Sequence, residues 1–537
     1  MAVDIKGFNS DLDSIAKYED KSVTDQGVIQ PQRVQDSRDS YQNTSFKMAI
    51  ALCIGVGLIY LAFLKPGIWG IDGNDMVSVA KSLVTEQNFT VPPEYGGVTG
   101  HTGQHYSRRY PLLPILATPF VAVGLALSHW FNLPEHFAAA TCALVLSILL
   151  TAATTALVAL LALRLGSTSQ GAYIAALSFA FGTIALVYGH TFFAEPLLAF
   201  LTVASIYLAL GRTRQELAGA SILAGLAAIA KPTGIVVGPI LSLYFLAKRR
   251  PLRLILGPIL APTVAALLYL FYNYIRFGNV LTTGQPLSNF TTSGALERFL
   301  GLLFSPGVGG GLIWYCPPVL LAIIGLRQAL KSRTLEALVI VGVFLGYLLL
   351  HSFWLCCGWD WGPRFLVPAL PGLMALTGLV GKSWWKWLIA LTIVGFLINA
   401  PTLVSFYQRY YFEVVTAGDG QHNIWFWGNF TDAPLFHAWG AAYRQVNDAL
   451  AVDIRDLVRE ASASTASSEE AMPELLRIVA VWWWVLPAVG IPMWVGVIVS
   501  ALLVSAGVWV LRKIWRHLPV ERELSCERVA KSRILLK

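Results

Sequence analysis

Residues 67–84 read GIWGIDGNDMVSVAKSLV, and they follow directly on an apolar run at 47–65. That run has the length of a bilayer crossing. Where it ends, two carboxylates stand three positions apart, Asp72 and Asp75. Either a soluble protein carries one greasy helix, or a membrane protein concentrates acid at its surface. Composition decides between them: of 537 residues, 55% are hydrophobic and only 13% are charged, and the mean hydropathy is +0.60. This fits a chain that crosses a membrane many times.

Working outward, apolar runs of crossing length stand at 47–65, 136–163, 171–189, 193–211, 252–274, 312–328, 335–353, 365–380, 383–404 and 491–511. The run 217–247 is interrupted by AKPTG at 230–234, where Pro232 and Gly234 end a helix. Its two halves, each near 21 Å at 1.5 Å per residue, suit tilted or partly inserted helices. The expected class is an all-α polytopic membrane protein with about 11–13 transmembrane helices. Residues 1–46 are polar, mixed in charge and unlike a cleaved signal peptide, so a disordered cytoplasmic tail is expected there.

A formal charge of +8 invites a nucleic-acid partner. The Lys and Arg residues instead fall in short loops: Arg212 and Arg214, Lys248 to Arg250, Arg327 to Arg333, Lys382 and Lys386, and the tail from Arg512. Such loops orient membrane helices, so no nucleic acid is expected and one side is cytoplasmic. Loops 66–110, 275–311, 354–364 and 405–476 then face outward. One stretch resists the alternation. Tyr110 should be outside and Arg164 inside, yet two apolar runs separate them, and 111–131 is assigned as a re-entrant or interfacial helix. The six cysteines are scattered without CxxC spacing, which argues against a disulfide framework or a zinc site.

The outward loops hold the unusual chemistry. Loop 66–110 carries Asp72, Asp75, His101, His105, Arg108 and Arg109, and WLCCGWDWGPR at 354–364 carries Asp360 and Arg364. In order, IDGNDMVSVAKSLV, YSRRYPLLPILATPF, YGHTFFAEPLLAF, GLAAIAKPTG, YNYIRFGNVLTTG, LFSPGVGGGLIWYCPP and GWDWGPRFLVPALPG resemble the landmarks of GT-C superfamily membrane glycosyltransferases. They are most similar to the protein O-mannosyltransferase and lipid A aminoarabinose transferase branch. The resemblance spans 47 to about 405. It implies a GT-C-like catalytic module over 47–404, an extracytoplasmic segment 405–476, a C-terminal membrane segment 477–511 and a basic cytoplasmic tail 512–537.

It also implies the activity: transfer of a sugar from a polyprenyl-phosphate donor to an extracytoplasmic glycan, lipid or protein, in a cell membrane of the bacterial inner-membrane kind. The family's acid just past the first membrane helix aligns with Asp72. Asp75 is either a second catalytic carboxylate or a helix N-cap. Glu195 follows YGHTFF at a helix start, where it is either a partner of Asp72, able to orient the acceptor or hold a divalent metal, or an acid complementing the helix dipole. Beyond that possible metal, no cofactor is expected.

The chemistry needs both kinds of charge. A carboxylate takes the proton of the attacking hydroxyl, and fixed cations stabilise the departing phosphate. Arg109 falls where the family has a phosphate-binding lysine, and Lys231 matches another family lysine. A buried lysine in a bilayer segment costs roughly 2.5–3.5 kcal/mol unless it reaches water or an anion. Arg364 is a phosphate or sugar contact or an interfacial anchor, and Arg276 reads as an anchor. Arg108, Tyr106, Asp360 and Trp361 join the candidate binding set, Trp361 with Trp354 and Trp359 as sugar-stacking or belt aromatics. His190 reads as interfacial or as a further binding residue. SPGVGGG at 305–311 lacks the Lys-Ser/Thr of a phosphate loop and is expected to be a flexible outer loop. A carrier or flippase for a lipid-linked saccharide is the rival reading, and it would line a cavity at mid-membrane.

Overall fold

The computed structural model describes residues 31–93, 97–285, 287–355, 359–416, 430–456 and 476–519. Two units are distinguished, Met1–Lys47 and Met48–Lys537. Of the first, the described part is helical from Pro31 onward. No proline or glycine interrupts 32–46. Residues 1–30 lie outside the described residues, as do Cys356, Cys357 and Cys526.

The chain is an all-helical, multi-pass membrane protein whose described strands are one two-residue ribbon. Its elements are α1 Pro31–Ala62, α2 Ile71–Thr85, β1 Val98–Thr99, β2 His105–Tyr106, α3 Leu112–Phe131, α4 Glu135–Leu165, α5 Ser169–Gly182, α6 Ala194–Ala209, α7 Arg214–Ala230, α8 Val237–Ala247, α9 Leu252–Phe277, α10 Ala295–Phe304, α11 Ala322–Ser332, α12 Thr334–Ser352, α13 Leu370–Thr377, α14 Trp385–Asn399, α15 Gln408–Thr416, α16 Pro434–Ala451 and α17 Met493–His517. Seven stretches among the described residues are long and apolar enough to cross a membrane: Asn43–Ala62, Leu112–Phe131, Glu135–Leu165, Leu252–Phe277, Thr334–Ser352, Lys382–Val404 and Met493–His517. Shorter apolar helices cover Ala194–Ala209, Pro232–Ala247 and Arg364–Thr377.

Local chemistry sets the boundaries. A capping box, Thr213 with Glu216, opens α7, which satisfies two free backbone donors reciprocally. α7 stops at Lys231, whose backbone is extended, and Pro232 starts a 3-10 turn before α8. The break expected inside 217–247 is therefore present, and α7 and α8 form a hairpin with Lys231 at its tip. Helices approach closely where glycine leaves room: a Cβ on Gly395 would stand 2.1 Å from the Gly182 carbonyl oxygen, and one on Gly325 1.8 Å from that of Leu376. Small residues at membrane helix interfaces do this generally.

At one end of Met48–Lys537 the basic loops meet. Arg164 pairs with Glu216 at 2.5 Å, Lys248 pairs with Glu336 at 2.9 Å, and Arg250 donates to the Gly211 carbonyl. The ends of α4, α7, α8 and α12 that carry Arg and Lys thus share a level, as their distribution in the sequence requires.

At the other end, α3 is tied to α2 from both sides. Arg109, just before α3, pairs with Asp72, and just after it Glu135 pairs with Lys81 at 2.6 Å while His136 Nε2 lies 3.0 Å from Asn74 Oδ1. α3 buries Leu113, Ala117, Val121, Gly124 and Ser128 along one stripe and leaves Ile115, Leu116, Val123 and Trp130 exposed. α3 has crossing length, yet it runs alongside α2.

SPGVGGG is not an exposed loop. Residues 305–311 are buried, and Gly311 has φ +80° with its Cα against the Ser305 carbonyl, so a Cβ there would come within 2.4 Å of that oxygen. The glycines serve close packing instead of flexibility.

Candidate active site

α2 begins immediately after Gly70, whose φ of 126° turns the chain. Asp72 therefore sits in the first helical turn, where its charge complements the free N–H groups. Asp75 lies one turn further on and is not an N-cap. α6 likewise begins at Ala194, which puts Glu195 in its first turn. Lys231 comes from the α7–α8 tip, and Arg364 opens a 3-10 turn, Arg364–Ala369, just after Gly362 and Pro363.

Asp72, Glu195, Lys231 and Arg364, with Arg109 and Asp360, form one ion network. Arg109 Nη2 donates to Asp72 Oδ1. Arg364 Nη1 lies 3.4 Å from Asp72 Oδ2 and 3.0 Å from Asp360 Oδ1, while its Nε lies 3.6 Å from Glu195 Oε1. Lys231 Nζ donates to Glu195 Oε1 at 2.7 Å. Three acids and three bases are thus interleaved, with Arg364 touching every acid. Aromatic faces support the cations: Lys231 stands 4.5 Å from the Phe365 ring centre and Arg364 4.6 Å from that of Phe193. Burial pushes the Asp360 carboxyl up to about 6 against the pull of Arg364.

All six groups line a cavity of about 1220 Å³. Part of its wall is apolar and outward-facing, with Ile235, Phe290 and Leu355 between 46% and 48% exposed. Elsewhere the wall is polar and neutral, including Thr233, Gln285, Asn289 and Gln408. Gln408 and Phe412 belong to α15, so the segment after residue 405 contributes to the wall. Trp69 stacks on Trp359 at 5.2 Å between centroids, and both line the cavity.

Other expected residues stand elsewhere. Asp75 is buried and accepts from Ser107 at 2.7 Å; it is not among the lining residues. Burial pushes its carboxyl up to about 6, opposed by Ser107 and Arg109. His190 is wedged between the carbonyl oxygens of Leu186 and Tyr60, at 2.7 and 3.0 Å. Trp361 is fully buried and donates to Asn399 Oδ1 at 2.7 Å, so it offers no ring face to a sugar. Arg108 is exposed and Tyr106 packs on Phe277, neither lining the cavity. Arg276 is buried within the loop contacts of Ser107 and Asn273.

The sequence reading missed Tyr110, Thr233, His351 and Gln408 as lining residues. Thr233 was signalled by its place in AKPTG, and His351 by being the one imidazole within its apolar run. For a divalent metal the donor set does not fit: each acid already engages Arg or Lys, and no group of three or more His, Cys, Asp or Glu able to hold an ion occurs among the described residues.

No protein-family model and no curated protein matches the chain. Among solved structures it is similar to ArnT from Cupriavidus metallidurans in the apo state, at 16% identity and a TM-score of 0.47, with 87% of this chain and 78% of that one covered. The same protein bound to undecaprenyl phosphate is similar at 16% identity and a TM-score of 0.45, covering 86% and 77%. The apo oligosaccharyltransferase of Archaeoglobus fulgidus is similar at 11% identity and a TM-score of 0.39, covering 80% of this chain and 60% of that one.

Proposed function

We propose that this chain is an integral-membrane glycosyltransferase that moves a sugar from a polyprenyl-phosphate donor to an extracytoplasmic hydroxyl acceptor. The observation that carries the reading is the cavity in which Arg109, Arg364 and Lys231 stand interleaved with Asp72, Glu195 and Asp360 beside an outward-facing apolar wall. A polyprenyl chain suits that wall, and its phosphate suits the three cations. The acceptor oxygen attacks the anomeric carbon as the bond from that carbon to the phosphate oxygen breaks, and its electron pair leaves with the phosphate. The acceptor proton passes to a carboxylate, for which Asp72 is assigned. Arg109, Arg364 and Lys231 then face a phosphate whose negative charge has grown, so their attraction strengthens along the reaction.

The test is transfer by purified protein in lipid vesicles from labelled polyprenyl-phosphate sugars. A labelled product that forms from a nucleotide sugar with no lipid carrier present would overturn the reading. The carrier alternative calls for polar groups at mid-membrane, whereas the network occupies the end opposite the basic loops. On a cysteine-free background, Ser293→Cys should label with an impermeant reagent in intact cells and Ser332→Cys only after permeabilisation. The reverse pattern would put the site on the cytoplasmic side and remove the proposed acceptor.

A further inference from the structure

Asp75 looked like a second catalytic acid, yet its surroundings describe a different task. Ser107 is the centre of three hydrogen bonds. Its Oγ–H donates to Asp75 Oδ2 at 2.7 Å, the same Oγ accepts the Arg109 backbone N–H at 2.9 Å, and its carbonyl oxygen accepts Arg276 Nη1 at 2.5 Å. Arg276 is in turn fixed: Nη2 donates to Asn273 Oδ1 at 2.7 Å, and its guanidinium lies 3.8 Å from the Tyr272 ring centre. Its own carbonyl accepts from His101 N–H at 3.3 Å. Asp75, Ser107 and Arg276 are 2%, 1% and 0% exposed.

Charge of this kind is expensive to bury for shape alone, because apolar residues of similar volume pack as well without the desolvation penalty. The bonds converge on Ser107, whose Oγ in turn holds the backbone N–H of Arg109, and the Arg109 side chain lies in the cavity and grips Asp72. With the carboxylate of Asp75 accepting its proton, the Ser107 hydroxyl is turned so that a lone pair faces the Arg109 N–H. Arg276 holds the same serine from the other side, through α9. The loop between β2 and α3 is therefore pinned both to α2 and to α9 at the position of one cation.

We infer that Asp75, Ser107 and Arg276 are positioning residues that hold Arg109 at the phosphate end of the cavity, and that none of the three touches the substrate. The inference rests on the proposed role of Arg109 in holding a lipid phosphate, and its test separates the two.

Binding of polyprenyl phosphate to the purified full chain is measured for wild type, Ser107→Ala, Ser107→Thr, Arg109→Ala and the Ser107→Ala/Arg109→Ala double variant. Removal of Ser107 Oγ should weaken binding roughly 5- to 10-fold, the scale of one hydrogen bond. Threonine should stay within about twofold of wild type because it keeps the hydroxyl. The double variant should bind no worse than Arg109→Ala alone, since Ser107 acts only through Arg109. A serine that merely stabilises the fold would impose its factor on the Arg109→Ala background as well, and that additivity would overturn the inference. Independently of any ligand, hydrogen exchange at the Arg109 amide should quicken roughly tenfold in Ser107→Ala and rise also in Asp75→Asn. Unchanged exchange in both overturns it. If wild-type protein binds no polyprenyl phosphate while Ser107→Ala and Asp75→Asn show the exchange response, the donor reading falls and the positioning set stands.

Discussion

Lys231 and Glu195, 36 positions apart in sequence, meet at 2.7 Å where the tip of the α7–α8 hairpin faces the first turn of α6. Glu195 is 3% and Lys231 9% exposed. Breaking such a pair from one side leaves a buried charge poorly compensated, at a cost of about 3–5 kcal/mol. Lys231→Met should therefore destabilise the protein by about 3 kcal/mol, the low end because Arg364 still stands 3.6 Å from Glu195. The Lys231→Met/Glu195→Leu double variant should recover part of the loss. Unfolding in mixed micelles reads both, and a double variant less stable than the single one would contradict the pairing.

Asp72 offers its two oxygens to two different arginines, Arg109 and Arg364. Replacing it by asparagine keeps the shape and removes the proton acceptor. Transfer should fall by at least about 100-fold, the lower range for loss of general-base assistance, while the protein stays folded and inserted. Turnover and a size-exclusion profile are measured together. Near-normal turnover in well-folded Asp72→Asn would reassign the base.

For Arg109, loss of a charge-assisted hydrogen bond of about 1.5–3 kcal/mol corresponds to roughly 10- to 150-fold in donor use. Arg109→Ala should show this in kcat/KM for the donor. Arg109→Lys should regain part of it, since a single phosphate responds to charge more than to fork geometry. If alanine and lysine variants prove equivalent, charge at this position is not what the donor uses.

Two carboxyls outside the membrane-spanning helices, Asp75 and Asp360, are pushed up to about 6 by burial. In the unfolded chain both lose their protons near the ordinary carboxylate value of about 4. Between about pH 4 and 6 the folded state thus holds more protons than the unfolded one, and its stability falls as pH rises through that window. Asp75→Asn and Asp360→Asn should each flatten this slope relative to the parent in thermal unfolding followed from pH 4 to 7. A slope that steepens would mean that these carboxyls ionise more readily in the fold than out of it.

Most long helices and the break at Lys231 were legible because apolar length, Pro232 and Gly234 are local signals, whereas the expected runs 171–189 and 312–328 are divided into shorter elements. Asp72, Glu195, Lys231, Arg109 and Arg364 were legible as charges flanking apolar runs, where an unneeded charge is disfavoured. Their convergence on Arg364 was not, since Asp72 and Arg364 stand 292 positions apart and no local spacing encodes that distance. As a helix cap Asp75 was misread, because the cap of α2 is Gly70 instead of the acid, a shift of five residues that sequence signals resolve poorly. Trp361 and His190 carry the right chemistry in buried places, and burial at that level is a property of packing between helices. Gln408 entered the wall from a segment whose sequence matched no landmark.

The interleaving of three acids with three bases has a kinetic side. An anion entering this cavity does not fill a positive hole; it must exchange partners with carboxylates that already occupy the cations, and on leaving it hands the cations back. Under the proposed function, resident carboxylates of this kind compete with a spent lipid phosphate for the cations, which favours its release. Net attraction at a distance is then small, so donor affinity should change less than about threefold between 50 and 500 mM salt, where an uncompensated cluster of three cations would lose far more through screening. A steep salt dependence of donor binding would show that the carboxylates do not neutralise the site.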